Sequence, residues 1–178
     1  MTIATAAGLA SACTADQQSI AALERALGSN PSATRALEDW CAARGLAENP
    51  VIVARRIKGE AAEPAGLRER LGVDAGAALG YRHVQLVCGD RVLSEAHNWY
   101  VRDRLTADMN TALDTGDTPF GKIVGPLGFS RETLDSRKGG EPGCPPGVVL
   151  SQIALLRLAD GRPLALVTEC YTRAAIER

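Results

Sequence analysis

The chain has 178 residues, 46% hydrophobic but only 4% aromatic, and a formal charge of −1. That length buries a substantial core, here an aliphatic one. A balanced charge with no basic run excludes nucleic acid as the main partner, because phosphate binding relies on clustered Lys and Arg. No apolar run is long enough to span a bilayer.

Cys13, Cys41, Cys88, Cys144 and Cys170 are far apart and make no CxxC pair. Their odd number favours buried free thiols over a disulfide framework or a zinc site, and with them a reducing, cytoplasmic compartment. The start, MTIATAAGLASAC, is small and apolar without basic residues ahead of it. Residues 1–13 are read as an unstructured or residual targeting segment, with export through an upstream signal as the alternative. Residues 14–178 are read as one domain.

Thr14 opens a capping-box spacing, and Ile20, Leu23 and Leu27 form a helical stripe that Gly28 stops. A second helix is capped by Ser32, buries Ala33, Ala36, Leu37, Trp40 and Cys41, and closes at Arg44-Gly45. Val51 to Ile57 is a short β-branched strand, and Leu67 to Leu71 a helical turn.

Leu79 to Val101 reads as a long hairpin turning at Gly89-Asp90. That turn sets Leu86 against Leu93, Val84 against Glu95 and Arg82 against His97. One face then carries Arg82, Val84, Leu86, Leu93, Glu95, His97 and Trp99. His83 falls on the other face, which makes the two histidines poor candidates for a shared metal. Arg82, deep in an apolar face, needs a diagonal Glu95, open water or an anionic ligand gripped by its guanidinium.

Beyond the hairpin, Thr106 caps a helix through Leu113, and Asp117-Thr118-Pro119 opens another in which Phe120, Ile123, Val124 and Leu127 form the apolar stripe. Asp135 to Gly147 is rich in Gly and Pro and reads as a surface loop with an incidental Cys144. Two strands close the chain, Val148 to Leu158 and Pro163 to Thr172, joined at Asp160-Gly161. Tight turns between successive strands make the sheet mainly antiparallel, and the fold class is α+β with helices packed on that sheet. Glu169 lies deep in the last strand. The sequence shows no catalytic triad, metal-binding motif or nucleotide fingerprint.

Tyr81-Arg82 with the alternating strand after it, Ala96 before a polar pair, the TPFG segment Thr118 to Gly121, and the closing GRPLALVTE resemble the chorismate lyase family, from about Ser32 to the end. The resemblance implies about six antiparallel strands and an enzyme that eliminates pyruvate from chorismate to leave 4-hydroxybenzoate, a step of ubiquinone biosynthesis, with no cofactor and no metal. It implies that Arg82 and Glu169 are the catalytic pair. Arg82 would grip the ring carboxylate beside the amides of Ala33 and Phe120, and Glu169 would bond the ring hydroxyl. Segments around Ser32 and Thr118 would act as flaps. His97 would join the substrate-binding set where the family carries an arginine directly after the alanine, Ala-Arg-Ser or Ala-Arg-Thr against Ala96-His97-Asn98 here, a departure that leaves room for a related substrate. Glu169 lies one position further along its strand than the family pattern, so Thr168 is the alternative pocket residue. The expected partner is an aromatic or cyclohexadienyl carboxylate bound by a monomer. The competing reading is a non-catalytic binding module, related to the effector-binding domains of GntR-type regulators.

Overall fold

The computed structural model describes residues 6–59 and 61–177. Six strands, β1 (Ile52–Arg56), β2 (Leu79–Cys88), β3 (Arg91–Val101), β4 (Phe129–Lys138), β5 (Val148–Leu158) and β6 (Pro163–Thr172), form one sheet. Its order is β1-β2-β3-β6-β5-β4, with every neighbouring pair antiparallel. The helices are α1 (Ala6–Gly28), α2 (Ala33–Arg44), α3 (Leu67–Leu71), α4 (Ala107–Thr115) and α5 (Phe120–Val124). This is the α+β architecture expected from the turn chemistry.

Strand faces alternate, so the sheet has two apolar sides. On the inner side, Leu23 and Leu27 of α1 and Leu37 and Cys41 of α2 pack over Val84, Leu86 and Ala96. Next to them Phe120 and Val124 of α5 join Tyr100, Ala154, Leu156 and Val167. On the outer side Leu67 and Leu71 of α3 cover Trp99, Leu155 and Leu166. Close packing is tightest at Gly80, which opposes Tyr100 in the register. A Cβ there would collide with the Tyr100 ring, which is itself buried. Gly80→Ala is therefore expected to cost about 1–3 kcal/mol by overpacking, read as a lower midpoint in urea unfolding.

Three expectations are corrected. Helix α1 begins at Ala6 rather than Thr14, so the boundary proposed between residues 13 and 14 falls inside it, while residues 1–5 lie outside the described residues. Residues from Phe129 onward, part of them read as loop, form edge strand β4; its exposed positions are polar, which hides the alternation. The cysteines pair as Cys41–Cys88 and Cys144–Cys170. Distance along the chain concealed partners that adjacent elements bring together, and the ground for a reducing compartment goes with the free thiols. No helix among the described residues is long and apolar enough to cross a membrane.

The hairpin turns where expected, with Gly89 at φ +57°, but its register breaks between Leu86 and Val87. Val87 pairs with Val92 and Leu86 with Ser94, leaving Leu93 as an extra residue on β3. A bulge of this kind inverts every later side chain relative to the simple register. Arg82 consequently opposes Asn98, His83 opposes His97 and Val84 opposes Ala96.

Candidate functional site

A small cavity lies between the inner face of the sheet and the N-terminal ends of α2 and α5. Ser32, Ala33 and Thr34 form one wall, Phe120 and Gly121 another, and Arg131 and Glu169 a polar wall, with Val84, Ala96 and Leu156 among the apolar lining. Its volume is about 30 Å³, room for water but less than the ~150 Å³ that accepts a benzene ring. Outside it a cleft of about 870 Å³ runs past Arg35, Lys122 and Gly125. Pro31, Ser32, Gly121 and Phe129 border both spaces. The two helix ends touch here. A Cβ on Gly121 would lie 2.7 Å from Ser32 Oγ, so glycine is what allows this approach.

The polar wall centres on an ion pair. Arg131 Nη2 donates to Glu169 Oε2 at 2.5 Å, and the two side chains are 4% and 8% exposed. Arg131 also donates to Gln152 Oε1 at 3.0 Å and to Thr133 Oγ1 at 2.7 Å. The Tyr171 hydroxyl donates to the same Glu169 oxygen at 2.9 Å. Burial opposes the charge of Arg131, but Glu169 and Tyr171 outweigh it and raise the guanidinium's pKa. Burial first, then Glu169, hold the Tyr171 phenol well above its usual range, so it remains a donor. Within this ion pair two atoms have no partner among the described residues. Arg131 Nε is buried without an acceptor, and both donors to Glu169 fall on Oε2, leaving Oε1 without one.

At the opposite wall Ser32 caps α2, its hydroxyl accepting from Arg35 N at 3.4 Å. The first amides of a helix lack intrahelical acceptors and sit at the positive end of its dipole. Ala33 and Thr34 present that end to the cavity.

Of the residues expected from the sequence, Ala33, Phe120 and Glu169 line the cavity together. Thr168, the alternative to Glu169, pairs with His97 and therefore belongs to the outer face. Arg82 does not line the cavity. Its side chain is buried, 1% exposed, and Nη1 and Nη2 donate to Thr118 O at 2.7 Å and Gly116 O at 2.6 Å. Burial and then the charge of Arg56 pull its pKa down from the ordinary guanidinium value. Arg56 in turn donates to Leu113 O at 3.2 Å and to Asp114 O. These two arginines bind carbonyls at the C-terminal end of α4 and in the turn after it, where a helix exposes unpaired acceptors. Arg82 thus positions the segment leading into α5, a task different from the ligand contact expected of it. His97 is likewise absent from the cavity, because the β3 bulge turns it to the outer face. Arg131 was missed; the exposed polar residues of β4 gave no strand signal from which its inward direction could be read.

No family model matches the sequence. The fold is chorismate lyase-like. It resembles the effector domain of PhnF from Mycobacterium smegmatis, with a TM-score of 0.56 at 13% identity, covering 80% of this chain and 89% of that one. The longer PhnF chain gives 0.57 at 13% identity, covering 82% of this chain; the present chain spans 65% of its length. The uncharacterized protein y4mC of Sinorhizobium fredii is 40% identical over 170 residues, an alignment covering 84% of this chain and 71% of that protein. The chain belongs to the same family as y4mC.

Proposed function

We propose that this chain is a small-molecule-binding domain whose cavity takes an aromatic carboxylate carrying a hydroxyl group, without turning it over. One observation carries the reading: an open donor, Arg131 Nε, and an open acceptor, Glu169 Oε1, belong to one buried pair on one wall of the cavity. A phenolic hydroxyl accepts from the first and donates to the second, satisfying both. The carboxylate at the far end of such a ligand suits the amides of Ala33 and Thr34. The intervening side chains are apolar, as a ring requires.

A ring needs more room than the cavity holds, so binding widens it at the boundary where Ser32 meets Gly121. The resemblance to effector domains supports binding as the purpose of the pocket. Chorismate lyase chemistry is the competing reading, favoured by the buried carboxylate of Glu169, but the Arg82 it would rely on is committed to backbone carbonyls.

The test uses 4-hydroxybenzoate in titration calorimetry and chorismate in a turnover assay followed by chromatography. The expected result is one 4-hydroxybenzoate site per chain, lost in Glu169→Gln, with no pyruvate released from chorismate. Failure of the native protein to bind 4-hydroxybenzoate overturns the ligand class, and pyruvate released by the native protein replaces binding with catalysis.

A further inference from the structure

The bulge that leaves His97 outside the cavity gathers the only two histidines of the chain on the outer face of β2 and β3. We propose that His83, His97 and Glu95 form a binding site for one divalent transition-metal ion of the zinc type. The proposal is independent of the cavity, because Ala96 and Asn98 face inward from the same strand while Glu95 and His97 face outward.

One ligand atom from each of the three side chains lies within 4.8 Å of the other two. His83 Nε2 and Glu95 Oε1 are 2.8 Å apart. Around a tetrahedral zinc ion with bonds of 2.0–2.2 Å, ligand atoms are roughly 3.3 Å from one another. That separation falls between the two, and the ion is admitted when both rings turn until each ring plane contains it.

His97 carries the second observation. Its Nδ1 is 2.8 Å from the Tyr81 hydroxyl, and its Nε2 is buried with no partner. When Nδ1–H donates to the Tyr81 oxygen, Nε2 holds a lone pair that no described group satisfies. A ligating histidine characteristically uses its other nitrogen in this way, donating to an oxygen that fixes its tautomer and orientation.

The two rings stack face to face, an arrangement that ligation through their in-plane nitrogens has to open. His83 lies on His97 with centroids 4.1 Å apart and planes at 19°, and His97 lies beside Trp99 at 5.7 Å and 17°. Two imidazoles and one carboxylate favour zinc-like ions over calcium or magnesium, which prefer oxygen ligands. The side chains of His83 and Glu95 are each 16% exposed, so the fourth position is open to water or a small anion, as in a zinc site that is not purely structural.

The test titrates untagged full-length chain with zinc by calorimetry and follows the imidazole nitrogens by ¹⁵N NMR, where two histidines give a spectrum assignable by single substitutions. The expected result is one zinc per chain with displaced Nε2 signals from both rings. His97→Ala abolishes the site. Tyr81→Phe keeps the stoichiometry but weakens affinity about 10–100-fold, the effect of losing the group that orients a ligand. Zinc bound equally well by a folded His83→Ala/His97→Ala protein overturns the proposal. So does a native spectrum in which neither ring responds, a result that does not depend on any variant folding.

Discussion

Arg131→Ala is expected to destabilise the protein by about 3–5 kcal/mol, the cost of leaving one member of a buried ion pair without the other. The single change strands the Glu169 carboxylate, 8% exposed, with the Tyr171 hydroxyl as its remaining donor. Gln152 Oε1 and Thr133 Oγ1 lose a donor as well. For a chain of this size the loss appears as a fall in Tm of roughly 6–20 °C. Removing both charges tells a different story. Arg131→Met with Glu169→Leu replaces the pair by apolar groups of similar length, and stability is expected to recover most of the loss, because desolvating two charges offsets their attraction. Urea unfolding of the two single variants and the double variant measures this. A single-variant loss under about 1 kcal/mol would mean that the pair behaves as a surface ion pair.

Reduction of the disulfides has the other large effect expected. Cys41–Cys88 closes 47 residues and Cys144–Cys170 closes 26. Chain-entropy arguments assign about 4 and about 3.5 kcal/mol to loops of those lengths, as upper values. Thermal melts with and without a reductant read the combined loss, and replacing each pair by alanines separates the two. Thiol titration of protein unfolded without reductant checks the pairing itself: one thiol per chain is expected, against five after reduction. Five in both samples would return the cysteines to the free state that their spacing suggested.

The turns and caps made most of the fold legible. Gly89-Asp90 and Asp160-Gly161 mark both hairpins, and Ser32 and Thr106 cap the helices they precede. The two final strands run between the residues expected. What local pattern could not supply was parity. The extra residue at Leu93 has no sequence signature, since a valine-leucine run suits either register, and it decides where every residue from Ser94 to Val101 points. Glu169 was recognised as an interior carboxylate, yet its partner sits on β4, where polar edge positions look like loop. Arg82 shows the same limit from the other side. Its burial was readable from the apolar strand around it, but the carbonyls that its Nη atoms bond lie 34 and 36 residues further along.

In the first half of α2, Glu38 Oε1 accepts from Ile52 N at 3.0 Å and pairs with Lys122 of α5; three further attachments follow it. Trp40 Nε1 donates to Ala175 O at 2.7 Å, Arg44 Nη2 to Ile176 O at 2.6 Å, and Cys41 is joined to β2. All three lie in the second half of the helix, away from the cavity mouth at Ala33. Mechanically α2 is a lever with its fulcrum near Cys41. At 1.5 Å per residue, the arm from Cys41 to Ala33 is about 12 Å long. Lifting its tip by ~3 Å, close to the thickness of an aromatic ring, takes a rotation of only about 14°. Such a movement leaves the fulcrum in place but lifts Leu37 from Val84 and Leu86 and draws Glu38 away from Ile52 N and Lys122, so those are the contacts that entry of a ring has to loosen.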